Sequence, residues 1–312
     1  MLITYNQVKD KPTLLRAMTG LDRAEFEELA MSVGTAWESY HQTVIIPEPE
    51  RQRQPGGGRK PVLRTVFDKL LFILYYLKTY PLQEVIAFEF GMSQTQACDW
   101  IHALSEVLQQ AFAILKVLPE RDPTRLAATL AQSRETKFVI DGTERKIQRP
   151  KDDAEQTKYY SGKKHAHTVK NAVIVTLKSR TVKYLSQTYE GKKHDKKICD
   201  EEQPTLPPGS TLYKDTGFQG YEPVGIKTVQ PKKKPRGREL SVRDKQRNRR
   251  ISKVRITVEH VIAGIKRCHI VKDVFRNLKE GFDDLVMVIA CGLHNFRTKC
   301  RAKRKGAKSY FQ

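Results

Sequence analysis

Apolar residues in the first third of the chain recur three and four positions apart, which is the spacing of amphipathic helices. Residues 21–33 (LDRAEFEELAMSV) predict a short helix, with Asp22 as its N-cap and Glu25 as the partner that completes a capping box. Residues 65–114 predict further helices, because a proline and Gly91 interrupt an otherwise continuous helical pattern. The N-terminal part of the protein is therefore predicted to be all helical.

The helices predicted at residues 82–90 and 95–108 are separated by a turn that contains Gly91, an arrangement typical of a helix-turn-helix. Their expected core positions are Val85, Phe90, Ala97, Trp100 and Ile101. The expected DNA contacts, at the exposed start of the second helix, are Ser93, Gln94, Thr95 and Gln96. An ordinary helical hairpin is the alternative, because turn spacing alone does not distinguish the two.

From Lys137 onward the pattern changes, and short β-rich runs alternate with helical segments. Strands are predicted at residues 137–141 (KFVID), 171–177, 181–187, 211–214 and 226–229, the second and third forming a hairpin. Helices are predicted at residues 195–202, 251–266 and 285–297. Strands and helices in this order predict a mixed α/β domain.

These patterns predict five segments along the chain. They are an N-terminal helical segment (1–50), a basic glycine-rich linker (51–64), a helix-turn-helix domain (65–130), an α/β domain (131–300) and a basic tail (301–312). Three glycines follow a proline in the linker, which excludes regular structure there. Arg59 and Lys60 are candidate contacts to a DNA phosphate or to the minor groove. A solvated linker without a partner is the alternative.

Charge is the strongest signal in the composition, with 57 Lys and Arg against 35 Asp and Glu and a net charge of +22. Such an excess favours nucleic acid as the partner, since each phosphate that a cation neutralises releases a counterion. Ribosomal RNA or an acidic membrane surface is the alternative.

A second concentration of charge lies within residues 231–255, where twelve Lys or Arg stand against two acids. We interpret this stretch as a DNA-contacting segment that orders on binding, with a disordered charged loop as the alternative. Its expected DNA contacts are Arg243, Lys245, Arg247, Arg249 and Arg250.

Other features argue against whole classes of protein. Apolar runs are far shorter than the roughly 20 residues of a membrane span, and the N-terminus lacks the basic start and apolar core of a secretory signal. The five cysteines form no CxxC pair, which argues against a zinc ribbon and a disulfide framework. We therefore expect a cytoplasmic protein that associates with the nucleoid when it is bound to DNA.

Two aspartates, Asp141 and Asp215, each follow an apolar strand and are closely followed by glycine, which would let a large substrate approach the backbone. Glu259 lies in the middle of a predicted helix. Three acids in one site would repel one another unless divalent cations neutralise them, and two such ions can activate the attacking oxygen and stabilise the leaving one. Residue type and spacing leave open the alternative of unrelated surface acids.

Two basic residues share the helix face of Glu259, since Arg255 lies four residues before it and Lys266 seven residues after it. Arg255 is expected to orient Glu259, and Lys266 is expected to hold a phosphate near the metal ions. A plain salt-bridged helix face is the alternative.

Three sequence blocks, FVIDGTER (138–145), LYKDTGFQGY (212–221) and RITVEHVIAGIKR (255–267), resemble the catalytic blocks of bacterial insertion-sequence DDE transposases, and insertion sequence family five is the most similar group. Asp141, Asp215 and Glu259 match the three metal ligands of that family. Arg255 and Lys266 match its flanking basic pair. Ser252 stands where the family often has a tyrosine, so no role for that tyrosine is carried over.

The resemblance implies an RNase H-like catalytic fold, a mixed sheet flanked by helices, behind an N-terminal helix-turn-helix domain. It also implies two divalent ions, Mg²⁺ or Mn²⁺, and double-stranded DNA as the partner. The protein would bind the terminal inverted repeats of a mobile element as a homodimer, cleave at the element ends and transfer the freed 3′-hydroxyl to target DNA. A membrane and a small-molecule substrate are not expected. The alternatives are a catalytically silent DNA-binding regulator and a nuclease of the same fold that acts on RNA or structured DNA.

Overall fold

The computed structural model describes residues 2–45, 60–131, 135–235, 237 and 239–309. The chain divides into two compact units. The helical unit takes in the chain up to Val117, Arg267–Ile270 and the chain from Leu285 onward, and the α/β unit takes in Leu118–Lys266 and Val271–Asp284. Arg59 and most of the predicted linker lie outside the described residues.

The regular elements follow one another in two blocks. The first block is α1 (Tyr5–Val8), α2 (Pro12–Thr19), α3 (Arg23–Tyr40), α4 (Val66–Thr79), α5 (Gln83–Phe90) and α6 (Gln94–Ile114). The second block is α7 (Leu126–Ala131), β1 (Lys137–Lys146), α8 (Asp153–Tyr159), β2 (Tyr160–Ser161), β3 (Ala166–Thr176), β4 (Val182–Leu185), β5 (Tyr189–Glu190), α9 (Asp195–Glu202), β6 (Thr211–Tyr213), β7 (Lys227–Val229) and α10 (Val242–Ile265). The last helix, α11 (Phe282–Ser309), contributes its residues from Leu285 onward to the helical unit.

The helices of the first block begin and end where their side chains dictate. The predicted capping box of α3 is confirmed, because Asp22 accepts the Glu25 N–H and Glu25 accepts the Asp22 N–H in return. Ser93 caps α6 through the Gln96 N–H. Gly91 ends α5 with φ of 70°, a left-handed conformation that favours glycine.

The core between α5 and α6 differs from the prediction at two positions. Phe90, Ala97 and Ile101 are buried as expected, whereas Trp100 is only half-buried and Val85 is 45 % exposed. The prediction for Val85 is wrong because Ile86, the next residue, occupies the inward face of α5.

The α/β unit is built on a mixed sheet in the order β2-β3-β1-β6-β7, with β4 and β5 also paired to β3. The predicted hairpin is confirmed by the antiparallel pairing of β3 with β4. β1 is antiparallel to β3 and parallel to β6, and β6 is parallel to β7. Buried side chains such as Phe138, Ile140 and Ile174 form the core against the helices on this sheet.

β1 extends five residues beyond the predicted end at Asp141. Its backbone pairs with β3 as far as Lys146, whereas its pairing with β6 stops at Val139. Asp141 therefore lies inside β1, just past the point where β1 and β6 separate, and not at the end of the strand.

α10 packs against β1 and β6, and its buried residues Val258, Val261 and Ile265 keep helical spacing. The helix begins nine residues earlier than predicted, at Val242, where Ser241 caps it through the Asp244 N–H. Much of the predicted DNA-contacting segment is thus helical, which contradicts the disordered-loop alternative for those residues.

The predicted architecture, an N-terminal helical region followed by a mixed sheet with flanking helices, is confirmed and agrees with an RNase H-like fold. Of the helices that the structure describes, none combines the length and apolar composition that a membrane crossing requires.

Candidate active site and DNA-contacting surfaces

The structure brings the two strand-borne aspartates to one cation. Arg255 Nη2 lies 3.7 Å from Asp141 Oδ2 and 3.6 Å from Asp215 Oδ2. Asp141 is carried by β1 and Asp215 follows β6, its parallel neighbour, while Arg255 projects from α10. Sequence-distant acids are therefore gathered at one place on the sheet.

The surroundings of Asp141 disfavour the ionised form of its carboxyl group. Burial raises the pKa of its carboxyl to about 6, although Arg255 and a hydrogen bond from the Gly142 N–H lower it. The charges of Asp215 and Asp195 add to the increase. Arg255 therefore offsets only part of the negative charge at this site.

Glu259 lies one helical turn after Arg255 on α10 and is exposed. Its carboxylate has no hydrogen bond or ion pair with any residue that the structure describes, so Arg255 pairs with the two aspartates instead of orienting Glu259. The described residues contain no group of three His, Cys, Asp or Glu side chains arranged to hold a metal ion.

Lys266 contacts β1 three residues beyond Asp141. Its Nζ donates to the backbone carbonyl of Glu144 at 3.0 Å, and burial lowers the pKa of this amine. Lys266 thus attaches the end of α10 to the strand that carries Asp141.

The donors of the site fit a hard divalent cation in part. Asp141 and Asp215 offer carboxylate oxygens, which Mg²⁺ prefers, and they already share one positive group, Arg255. Glu259 carries a third carboxylate on the face of α10 that Arg255 occupies. The structure thus brings two of the three predicted ligands together. The third, Glu259, lies on the same face of α10 as the arginine that contacts them.

Sequence reasoning missed Asp195, the first residue of α9. A Cβ added to Gly142 would lie 2.8 Å from Asp195 Oδ1, and one added to Gly217 would lie 3.2 Å from Asp195 Oδ2. The space beside both glycines therefore holds the Asp195 carboxylate and not the substrate that the glycines alone predict. No sequence signal marked this residue, because an acid in the first turn of a helix needs no special explanation.

The predicted recognition residues lie at the exposed start of α6. Ser93 and Gln96 use their side chains in the capping box, and Gln94 donates to Gln83 Oε1 at 2.5 Å. Thr95 has no side-chain hydrogen bond with a described residue. Thr95 is thus the most available of the four for contact with DNA.

The basic residues expected to contact DNA are exposed on the first turns of α10. Lys245 forms an ion pair with Glu239 at 3.3 Å. Arg243, Arg247, Arg249 and Arg250 form no ion pair with an acid that the structure describes. Lys60, from the predicted linker, is also exposed.

Comparisons with known proteins agree with this arrangement. Residues 140–295, half of the chain, match the family described as DDE superfamily endonuclease, and residues 61–114 match the helix-turn-helix of DDE superfamily endonuclease. A probable transposase for insertion sequence element IS702 from Microchaete diplosiphon is 26% identical over 271 residues, which cover 86% of this chain and 94% of that protein. No solved structure matches the chain.

We predict that Asp141→Asn raises the Tm of the metal-free protein at pH 8 and that this advantage is clearly smaller at pH 5. The folded pKa of about 6 exceeds the ordinary pKa of 3.8, so folding stability falls as pH rises from about 4 to about 6 and stays low above it. At about 1.4 kcal/mol per pKa unit, the effect is on the order of 2–3 kcal/mol. Thermal melts in EDTA at both pH values measure it.

The control for this measurement is Asp244→Asn. A hydrogen bond from Lys232 lowers the pKa of Asp244, so its replacement is expected to leave the Tm at pH 8 unchanged or reduced. An Asp141→Asn protein that is less stable than wild type by the same margin at pH 5 and pH 8 contradicts the prediction.

Proposed function

Because the chain belongs to the DDE superfamily endonucleases, we propose that it is an insertion-sequence transposase of family five type. It binds the terminal inverted repeats of its element, cleaves DNA at the element ends and joins the freed 3′-hydroxyl to target DNA. The observation that carries this proposal is the convergence of Asp141 and Asp215 on Arg255, in a chain that also matches a helix-turn-helix. The name of the relative from Microchaete diplosiphon supports it.

Asp141, Asp215 and Glu259 would hold Mg²⁺ or Mn²⁺ ions, which supply activation of the attacking oxygen and stabilisation of the leaving one. Arg255 keeps the two aspartates close together and offsets their charge until they are used. Lys266 fixes α10 to β1 and so sets the position of Arg255 and Glu259 along the sheet.

The remaining roles divide along the chain. The helix-turn-helix domain (65–130) recognises the element ends, and the catalytic domain (131–300) cuts and joins DNA. The linker (51–64), α10 and the tail (301–312) add phosphate contacts. Two copies act together on paired ends in the cytoplasm, as a homodimer on DNA without a small-molecule substrate.

The test is cleavage of a duplex that carries an end of the element, taken from the DNA that flanks the gene. With Mg²⁺ the wild type is expected to cut at the element end. Asp215→Ala is expected to abolish the cut and leave salt-sensitive DNA binding within a few-fold of wild type, because it removes an oxygen donor and no phosphate contact. Asp200→Ala, which removes an exposed acid paired with Lys196, is the matched control and is expected to cut normally.

Each result of the cleavage test selects one function. A cut confined to the element end supports a transposase, and binding without any cut supports the catalytically silent regulator. Cleavage of unrelated RNA or structured DNA supports the third candidate. Turnover that survives in Asp215→Ala rules out the metal assignment.

A second prediction concerns the exposed face of α10. Replacing Arg243, Arg247 and Arg250 together by Gln is expected to weaken binding to duplexes of any sequence and to reduce the slope of log K against log salt by up to about 3. The control replaces three ion-paired cations, Arg23, Lys196 and Lys303, by Gln. Equal slopes in the triple variant and wild type would remove α10 from the DNA interface.

A further inference from the structure

The segments that carry Asp141 and Asp215 are not held together by the sheet where the two aspartates lie. β1 and β6 pair in parallel only over the stretch that ends at Val139 and Tyr213. Asp141 and Asp215 each lie two residues beyond the last pair. Arg255 bridges them with contacts of 3.6 and 3.7 Å, which are long for charged hydrogen bonds. Another contact is needed to fix the separation of the two carboxylates.

Asp195 makes that contact. Its carboxylate lies against the backbone of Gly142, next to Asp141, and of Gly217, two residues after Asp215. The approach to Gly142 is closer than a Cβ allows, and the approach to Gly217 is tighter than an ordinary Cβ contact. One rigid group therefore touches both segments from the N-terminal end of α9.

The Asp195 carboxylate is itself held from the sheet. Lys170 Nζ, on β3, lies 3.2 Å from Asp195 Oδ1 and 3.6 Å from Glu144 Oε1, and it donates to the Lys193 carbonyl at 2.9 Å. Lys170 is buried and pairs across the ladder with Glu144 of β1. Because a charge taken out of water is costly unless an opposite charge lies beside it, this lysine restricts where the Asp195 carboxylate can lie.

We propose that Asp195 is a positioning residue of the active site. Clamped by Lys170, its carboxylate sets the distance between the Asp141 and Asp215 segments so that both aspartates can bind one divalent ion. The inference rests on the proposed function where it concerns DNA cleavage. Where it concerns the placement of the two aspartates, it rests on geometry alone. It also gives a reason for the glycines that follow both aspartates, because the Asp195 carboxylate occupies the space that a side chain would need there.

The experiment replaces Asp195 by Asn in the full-length chain, which keeps the volume and removes the charge that Lys170 holds. Mn²⁺ binding, followed by the electron paramagnetic resonance signal of free Mn²⁺, is expected to weaken about tenfold, and end cleavage to slow at least tenfold. The Tm and the affinity for DNA are expected to stay near wild type. Asp200→Asn, on the same helix, is the control and is expected to change neither readout.

A second pair of variants tests the same contact if Asp195→Asn folds poorly. Gly142→Ala pushes on Asp195 and is expected to weaken Mn²⁺ binding by itself. Combining it with Asp195→Ala should weaken binding no further, because the two changes break the same contact. Additive losses, or wild-type Mn²⁺ affinity in Asp195→Asn, overturn the proposal.

The Mn²⁺ readout separates this proposal from the proposed function. A wild type whose Mn²⁺ affinity depends on Asp195 but which cuts no element end supports the positioning role and contradicts the transposase assignment. A wild type without Mn²⁺ affinity overturns the positioning role as stated.

A different observation, in the helical unit, points to a phosphate site. A cleft of about 490 Å³ lies among α2, α3, α4 and α11. Its cationic lining residues are Arg16, Lys78, Arg267, Arg301 and Arg304. The acids in the cleft, Asp22 and Glu25, both pair with Arg304. Arg16, Arg267 and Arg301 form no ion pair with an acid that the structure describes.

Further positive charge lies behind this cleft. Arg297 is 2 % exposed, and its Nη1 lies 3.2 Å from the position of a Cβ on Gly20, which lines the cleft. Five cations against two acids leave an excess of three charges in a concave space, and arginine forks match phosphate oxygens. We infer that the cleft binds a phosphate group, and that its source is the DNA backbone beyond the segment contacted by α6.

The test compares two double variants in binding to a duplex of arbitrary sequence. Arg267→Gln with Arg301→Gln is expected to weaken binding about tenfold and to reduce the salt slope by about 2. Arg23→Gln with Lys303→Gln removes equal charge from exposed ion pairs, one of them on α11 beside Arg301, and is expected to change the slope by less than half as much.

Inorganic phosphate distinguishes a phosphate of the DNA backbone from a free phosphate ion as the ligand of the cleft. Equal slopes in the two double variants overturn a DNA contact in the cleft. If phosphate raises the Tm of the wild type but not of Arg267→Gln with Arg301→Gln, and the slopes are equal, the cleft is a site for free phosphate and the DNA assignment is wrong. The duplex needs no element end, so failure of end recognition does not affect the result.

Discussion

Repulsion among carboxylates is the constraint on which the α/β unit depends. Asp141, Asp215 and Asp195 lie close enough for the second and third to raise the pKa of the first, and burial of Asp141 makes the repulsion stronger. Three cations from two elements lie near these acids: Arg255 and Lys266 on and just after α10, and Lys170 on β3. A chain with a net charge of +22 thus uses some of its excess to hold acids together.

The sheet makes room for these acids because β1 stops pairing with β6 while it continues to pair with β3. Beyond Val139, β1 no longer pairs with β6, yet its pairing with β3 continues to Lys146. The strand therefore stays rigid while one edge opens, and Asp141 lies at that opening. A strand that ended at Asp141 would leave Gly142 and Glu144, which Asp195 and Lys170 approach, in a loop.

Local patterns were enough to predict much of this arrangement. Apolar strands followed by Asp and Gly marked Asp141 and Asp215, and helical spacing placed Arg255 and Lys266 on one face of α10, where both contact the sheet. The capping box at Asp22 is likewise a short-range signal. Such features depend on residues within a few positions of one another, so a single sequence contains them.

What the sequence could not predict depends on contacts between distant residues. The length of β1 is set by β3, and the exposure of Val85 is decided by how α5 packs on its neighbours. Asp195 is the clearest case, since its first-turn position gives a sufficient local reason for an acid. Only the fold shows that its carboxylate lies beside two glycines 75 residues apart in the chain, Gly142 and Gly217.

The exposed position of Glu259 follows from the same electrostatics. A third ligand carboxylate moved toward Asp141 and Asp215 without a divalent ion would add to the repulsion that already raises the pKa of Asp141. The charge of Arg255 is already shared between the two aspartates, which Nη2 faces, so a further acid would divide it again. On the proposed assignment, a divalent ion would reverse this balance, because its charge exceeds that of the guanidinium and its ligand shell accepts additional oxygens. The placement of Glu259 would then depend on an ion in the site, whereas the contacts of Asp141, Asp215 and Asp195 are present in the folded chain without one.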